Sequence, residues 1–262
     1  MKRVLLVAAL SLTTLSAQAE IKTEEIVYRV GDQEFTGYLA YDSAVEGKRP
    51  GVLVLHEWWG HNDYARERAR MLAELGYTGF ALDMYGTDKL ADNPDAARGH
   101  MNDLMNVPGQ VTERFEAAYA LVQSHPTVDG ERIGALGYCM GGSIVLNMAR
   151  AGADLDAVAT YHAGLGTQQR ATPGSIKAPL KVFNGAADPF VPRDQVTAFK
   201  AEMEAAGASL EFFDYPDVLH SFTNPAADGF GEEFGMPLKY DAEADRDSWA
   251  RTEEFLREQL GR

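Results

Sequence analysis

GALGYCMGGSIVLN, residues 134–147, is the stretch of sequence that decides the fold. An apolar segment at residues 132–136 leads into it and predicts a buried strand, and the apolar run from residue 143 to 149 predicts a buried helix. Between the two lies GYCMG, a G-x-C-x-G form of the G-x-S-x-G nucleophile elbow, with Cys139 at its centre. The sharp turn needs small neighbours, and the following helix directs the positive end of its dipole at the sulfur. The glycines therefore favour a reactive Cys139 over the inert buried thiol that most lone cysteines are.

Strands and helices alternate on both sides of the elbow. Strands are predicted at residues 25–30, 35–41, 50–56, 77–83, 132–136, 155–161, 180–184 and 209–215. Helices are predicted at residues 63–75, 111–123, 143–149, 192–206 and 241–260. Two segments rich in glycine and proline, residues 84–109 and 223–239, are predicted to be irregular. The alternation predicts an α/β fold in which a mostly parallel central sheet is flanked by helices.

The first nineteen residues have the pattern of a secretory signal peptide. Lys2 and Arg3 are followed by an apolar run at residues 4–15 and by an A-x-A cleavage site that ends at Ala19. The apolar run is too short for a membrane span. We therefore expect a signal peptide at residues 1–19, a single domain at residues 20–262, and a protein exported to the periplasm with no membrane attachment after cleavage.

Charge and cysteine content restrict the classes of partner. The formal net charge is −15, and loss of the two N-terminal cations would bring it to −17. Such a surface repels nucleic acid and anionic lipid. A chain with one cysteine cannot form an internal disulfide, and a lone thiol in an oxidising compartment favours a chemical role for Cys139. We expect a monomer that acts on a small-molecule ester or lactone.

Three further candidates follow predicted strands, where ligands bind in open α/β sheets. Asp188 and His220 come after Cys139 in the order nucleophile, acid, histidine that α/β-hydrolase triads have. Cys139 would attack as a thiolate, His220 would transfer the proton, and Asp188 would orient the imidazole. Glu57 would either deprotonate the thiol or keep it neutral until substrate arrives. Each residue alone could be an ordinary loop residue, but the set favours catalysis.

The same motifs predict oxyanion donors and argue against a cofactor. The backbone N–H groups of Met140 and Trp58 each follow a candidate active-site residue and are the predicted oxyanion hole. The histidines of HEWWGH, residues 56–61, lie five residues apart and do not share a helix face, unlike those of the zinc motif H-E-x-x-H. The glycines near the elbow do not fit G-x-G-x-x-G. We expect neither a metal nor another cofactor.

Five segments together resemble the dienelactone hydrolase family of the α/β-hydrolase superfamily. They are HEWWG at 56–60, DMYG at 83–86, GYCMGG at 137–142, DPFVP at 188–192 and HSF at 220–222. The resemblance implies a Cys139-His220-Asp188 triad with Glu57 hydrogen-bonded to the resting thiol. It also implies hydrolysis of an ester or enol-lactone, without a cofactor, through a thioester acyl-enzyme.

The chain departs from the family in its substrate contacts. Family members carry an arginine two residues after HSF that grips the substrate carboxylate, and Asn224 stands there in this chain. Arg98 is the candidate counterpart of a second family arginine. Half of the carboxylate clamp is thus missing, so hydrolase chemistry is predicted but dienelactone itself is not. The aromatic candidates for an apolar pocket wall are Trp58, Trp59, Tyr85, Tyr138, Phe190 and Phe222. Trp58 and Tyr85 are preferred, because each comes immediately after a predicted strand.

Two other classes of function remain open on the sequence alone. One is an acyltransferase or peptidase on the same fold, which would need an acceptor site. The other is an exported binding protein that has kept the triad without using it.

Overall fold

The computed structural model describes residues 20–261, so the predicted signal peptide lies outside the described residues. Eight strands form one sheet in the order β1-β2-β4-β3-β5-β6-β7-β8. Their bounds are β1 (Ile21–Val30), β2 (Gln33–Asp42), β3 (Arg49–Leu55), β4 (Thr78–Leu82), β5 (Val128–Tyr138), β6 (Ala157–Tyr161), β7 (Leu180–Gly185) and β8 (Leu210–Tyr215). The hairpin β1-β2 is antiparallel and pairs antiparallel with β4, and strands β3 to β8 run parallel.

Seven helices lie in the described residues and cover both faces of the sheet. Their bounds are α1 (Asp63–Glu74), α2 (Pro94–Met105), α3 (Gln110–Ser124), α4 (Met140–Arg150), α5 (Arg193–Ala206), α6 (Ala227–Phe234) and α7 (Ala242–Leu260). Alternate side chains of a strand point to opposite faces. Leu53 and Leu55 of β3 accordingly pack in the core shared with α3, α4 and α5. Val52 and Val54 pack in the core shared with α1 and α7.

The two segments predicted to be irregular each contain a helix. α2 begins after Asn93, whose side-chain oxygen accepts from the backbone N–H groups of Asp95 at 3.0 Å and Ala96 at 2.9 Å. Proline at the first helical position is favourable, because its missing N–H has no helical partner there. Pro94 therefore begins the helix that the sequence reasoning had excluded. α6 ends at Gly235, whose left-handed φ of 63° closes the helix.

No helix within residues 20–261 combines the length and the apolar character that crossing a bilayer requires.

Candidate active site

The elbow holds Cys139 in a strained backbone between β5 and α4. Cys139 has a φ of 53°, a left-handed value that is unusual for a residue with a side chain. Its backbone N–H donates to the carbonyl of Tyr161 at 3.0 Å, which ties the turn to the end of β6. Gly141 lies so close to β3 that an added Cβ would sit 2.4 Å from the carbonyl oxygen of Leu55. The glycine is therefore required by the close approach that brings the elbow against the sheet.

Cys139, His220 and Asp188 form one hydrogen-bonded chain. His220 Nε2 lies 3.1 Å from Cys139 Sγ, and His220 Nδ1 lies 2.6 Å from Asp188 Oδ2. The other carboxylate oxygen of Asp188 accepts from the backbone N–H of Phe190 at 2.8 Å. The structure thus brings together, from the ends of β5, β7 and β8, the three residues predicted as a triad.

The electrostatics of this chain favour a charged histidine. Burial alone would lower the pKa of His220, but the neighbouring Cys139 sulfur and the Asp188 carboxylate outweigh it and raise that pKa to about 10. His220 therefore holds its second proton at neutral pH. An imidazolium 3.1 Å from the sulfur stabilises the thiolate, which is the nucleophilic form of cysteine.

Glu57 has different partners from those the resemblance implies. Its Oε1 accepts from the Ser221 hydroxyl at 2.7 Å, and its Oε2 accepts from the Asn224 amide at 2.6 Å. The expected hydrogen bond to the resting thiol is replaced by these two, and Cys139 pairs with His220 instead. The reason lies partly in Asn224, which stands where the resemblance implies an arginine and donates its amide to the carboxylate. Burial raises the pKa of Glu57 despite the two donors.

His162 belongs to the surroundings of the site and was missed by the sequence reasoning. It directly follows β6, is fully buried, and has a left-handed φ of 41°. Its Nε2 lies 2.9 Å from the Thr223 hydroxyl, and its ring packs edge-on against that of His220 with centroids 5.0 Å apart. Burial lowers its pKa, so it stays neutral beside the charged His220. Its position immediately after a predicted strand was the available signal.

A cavity of about 270 Å³ opens beside Cys139. Most of its lining is apolar, and two of its walls come from α2 and from the chain after α6. The lining residues are Trp58, Met101, Met105, Cys139, Met140, Ser143, Gly164, Phe190, His220, Met236 and Leu238. The segments predicted to be irregular therefore supply four apolar wall residues, which the sequence reasoning did not identify. The four-residue spacing of Met101 and Met105 was the only signal of a shared helix face.

The predicted oxyanion donors lie at this cavity. Met140 is the first residue of α4, and the first N–H groups of a helix have no partner within the helix. Trp58 lines the cavity from the end of β3. The Tyr85 hydroxyl donates to the Trp58 carbonyl at 3.0 Å and contacts Met140 Sδ at 3.1 Å. Tyr85 is buried outside the lining, so its contacts hold the two donor residues instead of reaching a substrate.

Three of the other aromatic candidates point into the core. Tyr138 is the last residue of β5, and its ring stacks on Tyr161 with centroids 4.5 Å apart. Trp59 stacks on Phe230 at 4.4 Å, and Phe222 packs against His162. Trp58 and Trp59 are the central residues of a turn closed by the Gly60 N–H, which donates to the Glu57 carbonyl at 3.2 Å, and only Trp58 lines the cavity. The prediction that these side chains contact substrate is not supported by their placement.

Arg98 is not among the residues that line the cavity. It is exposed on α2 and pairs with Asp95 at 3.1 Å, one helical turn earlier. Its expected role as the counterpart of the second family arginine is therefore not supported by its position.

Among residues 20–261, no cluster of three or more histidine, cysteine, aspartate or glutamate side chains is arranged to hold a metal ion.

Most of this chain is similar in sequence and in structure to known proteins. The model of the dienelactone hydrolase family matches residues 35–260. A solved structure named m3DLH is 36% identical, with a TM-score of 0.86, over 92% of this chain and 99% of that chain. The structure of P91 from metagenomic libraries is described as a dienelactone hydrolase-like promiscuous phosphotriesterase. It is 32% identical, with a TM-score of 0.86, over 93% of this chain and 100% of that chain. A protein of Methylorubrum extorquens named "Putative carboxymethylenebutenolidase" is 26% identical over 95% of this chain and 88% of its own length.

Proposed function

The chain belongs to the dienelactone hydrolase family and has the α/β-hydrolase fold, and we propose that it hydrolyses a carboxylic ester or lactone through a cysteine acyl-enzyme. One observation carries the proposal. Cys139 Sγ, the His220 ring and the Asp188 carboxylate are joined at 3.1 and 2.6 Å beside an open cavity. This is the arrangement of nucleophile, base and orienting acid that acyl transfer needs.

The proposed reaction has two steps. In the first, the Cys139 thiolate attacks the acyl carbon, and the oxyanion accepts from the backbone N–H groups of Met140 and Trp58. His220 gives its proton to the departing alkoxide, which leaves a thioester on Cys139. In the second step, His220 takes a proton from water and the resulting hydroxide attacks the thioester carbon. The carbon–sulfur bond then breaks, its electron pair returns to Cys139 as the thiolate, and the carboxylic acid leaves. Asp188 keeps the imidazole oriented and stabilises its charged form throughout.

We assign Glu57 a positioning role in this reaction. Ser221 and Asn224, which bind its carboxylate, belong to the same loop as His220. Glu57 therefore connects the end of β3 to the loop that carries the histidine. A buried carboxylate with two donors is a rigid anchor, since moving either partner leaves a charge without compensation.

The test is the loss of the nucleophile. Cys139→Ala is expected to lower kcat/KM for p-nitrophenyl acetate to the level of the uncatalysed reaction. Ser124→Ala, which removes an exposed hydroxyl at the end of α3, is the control and is expected to keep full activity. Full activity in Cys139→Ala would contradict the proposal and revive the alternative of a binding protein with an unused triad. Faster transfer to added alcohols or amines than to water would favour an acyltransferase.

A second candidate reaction is the hydrolysis of uncharged phosphotriesters. The similar P91 protein is described as a promiscuous phosphotriesterase, and the cavity here has neither lysine nor arginine in its lining, which suits a neutral triester. The thiolate would displace an aryloxide from phosphorus, and water would then cleave the phosphorus–sulfur bond. Release of p-nitrophenol from paraoxon by the native protein, and not by Cys139→Ala, would support it.

We also propose that the protein is exported after cleavage between Ala19 and Glu20, on the signal-peptide pattern of residues 1–19. Expression of the full chain in a bacterium and fractionation is the test. A periplasmic product whose sequence begins at Glu20 is expected, and an uncleaved cytoplasmic product would contradict the proposal.

A further inference from the structure

The cavity wall facing Cys139 consists of thioether, aromatic and aliphatic side chains. Met101 and Met105 come from α2, and Met236 and Leu238 come from the chain after α6. Trp58 is also part of this wall. Thioethers are apolar and adapt to the shape of a ligand, so such a wall favours hydrocarbon groups without fixing one outline. At about 270 Å³ the cavity is also small, just below the range of about 300–1,000 Å³ usual for drug-sized ligands.

The charges around the cavity are unfavourable for an anionic substrate. The catalytic chain contains two acidic side chains, Cys139 and Asp188, and a single basic one, His220, which is already paired with both. The lining contains neither lysine nor arginine. Two nearby candidates, Asn224 and Arg98, do not supply a counter-charge. Asn224 donates its amide to Glu57, and Arg98 pairs with Asp95 outside the lining.

We propose that the cavity takes the acyl group of an uncharged ester and rejects an acyl group that carries a carboxylate, with Met105 and Met101 among the residues that determine this specificity. The inference rests on the ester hydrolysis proposed above. A carboxylate entering the cavity would lose water and gain no cationic partner, while a hydrocarbon group of the same length gains apolar contacts. The structure thus points away from the carboxylated lactones for which the family is named.

The test compares three esters with one leaving group. They are p-nitrophenyl hexanoate, mono-p-nitrophenyl adipate, in which a carboxylate replaces the terminal methyl, and methyl p-nitrophenyl adipate, in which that carboxylate is masked. Because an unpaired buried charge is costly, kcat/KM for the hexanoate is expected to exceed that for the adipate monoester by at least about 100-fold. The methyl ester, which matches the monoester in size, is expected to lie within about tenfold of the hexanoate, since it carries no charge.

Variants place a cation in the wall. Met105 lines the cavity and is 44% exposed, so a lysine is tolerated there with its ammonium in reach of the acyl group. Met105→Lys is expected to raise the ratio of kcat/KM for the adipate monoester to that for the hexanoate at least about tenfold, the size of a partly desolvated charge pair. Met101→Lys should act in the same direction. The control is Val107→Lys, which adds the same charge at a 52% exposed residue outside the lining and is expected to change the ratio less than about twofold.

The outcomes separate this inference from the proposed function. Because each result is a ratio measured on one protein preparation, a partly folded variant does not imitate the effect. Equal kcat/KM for the hexanoate and the adipate monoester in the native protein would overturn the inference and leave ester hydrolysis intact. An unchanged ratio in both Met105→Lys and Met101→Lys would overturn the role of these residues. Hydrolysis of none of the three esters above the Cys139→Ala background would overturn the proposed function itself.

Discussion

Replacing Asp188 by asparagine should move the alkaline limit of activity to lower pH. The hydrogen bond from His220 Nδ1 to Asp188 Oδ2 is 2.6 Å long and buried, and an asparagine oxygen can accept it without the negative charge. The asparagine NH2 group then faces the Phe190 N–H, which loses its acceptor. The acylation step needs the protonated imidazole, so kcat/KM falls as pH rises through the pKa of His220. That pKa is raised to about 10 in the native protein.

The size of the displacement follows from the strength of this bond. A hydrogen bond to a charged group contributes about 1.5–3 kcal/mol, and about 1.4 kcal/mol corresponds to one pKa unit. Loss of the charge is therefore expected to lower the pKa of His220 by about one to two, because the imidazolium is the form that Asp188 stabilises. The alkaline limb of the profile should move in the same direction, to between about pH 8 and pH 9.

The assay is kcat/KM for ethyl hexanoate, whose alkoxide leaving group needs the His220 proton, between pH 6 and about pH 10.5, with the Cys139→Ala rate subtracted at each pH and folding checked by circular dichroism. Asp194→Asn, which removes an exposed carboxylate at the start of α5, is the matched control and is expected to leave the limb in place. An alkaline limb that stays within about 0.3 pH units of the native one in Asp188→Asn would refute the reasoning, since it would mean that Asp188 does not set the charge of His220.

Three further substitutions test the local account. Gly141→Ala places a Cβ 2.4 Å from the Leu55 carbonyl oxygen and is expected to lower the free energy of unfolding by about 1–3 kcal/mol. The control, Gly99→Ala in α2, has open space around it and should leave the free energy of unfolding unchanged or raise it. Equal urea midpoints for the two variants would contradict this. Asn224→Ala removes the amide that donates to the buried Glu57 carboxylate at 2.6 Å and should lower the free energy of unfolding by about 1.5–3 kcal/mol at pH 7. The loss should be smaller at pH 4.5, because the raised pKa of Glu57 lets the carboxylate bind a proton there. A loss that does not depend on pH would argue against an ionised Glu57. Arg98→Ala should change KM for mono-p-nitrophenyl adipate less than about twofold, as expected for an exposed residue outside the cavity lining, and a large rise in KM for this carboxylated ester would restore Arg98 as a substrate contact.

The sheet and the elbow were predictable because they depend on local patterns. The apolar run around Leu53 and Leu55 predicts a central strand from its residue types alone. The prediction was confirmed, because both ends of β3 lie within one residue of the predicted ends. The glycines around Cys139 predict the elbow because only small residues fit so tight a turn. The α/β-hydrolase fold predicted from these patterns was likewise confirmed.

The helices α2 and α6 were missed because glycine and proline were read only as helix breakers. Pro94 stands at the first helical position, where it stabilises the helix, and Gly99 lies inside α2 at a modest cost. Two walls of the cavity come from α2 and from the chain after α6. Their apolar character therefore could not be assigned to the site from the sequence.

The partners of Glu57 and the orientation of the aromatic side chains depend on tertiary structure. The strand-end positions predicted that Glu57 lies near His220, but they did not indicate that the Ser221 hydroxyl, 164 residues away, binds its carboxylate in place of the Cys139 thiol. Trp58 and Trp59 are adjacent and equally aromatic, yet one lines the cavity and the other packs on Phe230. The path of the backbone after a strand decides such orientations, and residue types alone do not record it.

The central claim is that Cys139 carries the acyl group during turnover. Acid quenching of the protein during hydrolysis of p-nitrophenyl hexanoate, followed by mass spectrometry of its peptides, tests it most directly. The account predicts a hexanoyl adduct on the peptide that contains Cys139, removed by neutral hydroxylamine as a thioester is, and absent from Cys139→Ala. A hexanoyl group on a serine or another residue, or the same adduct in Cys139→Ala, would contradict it.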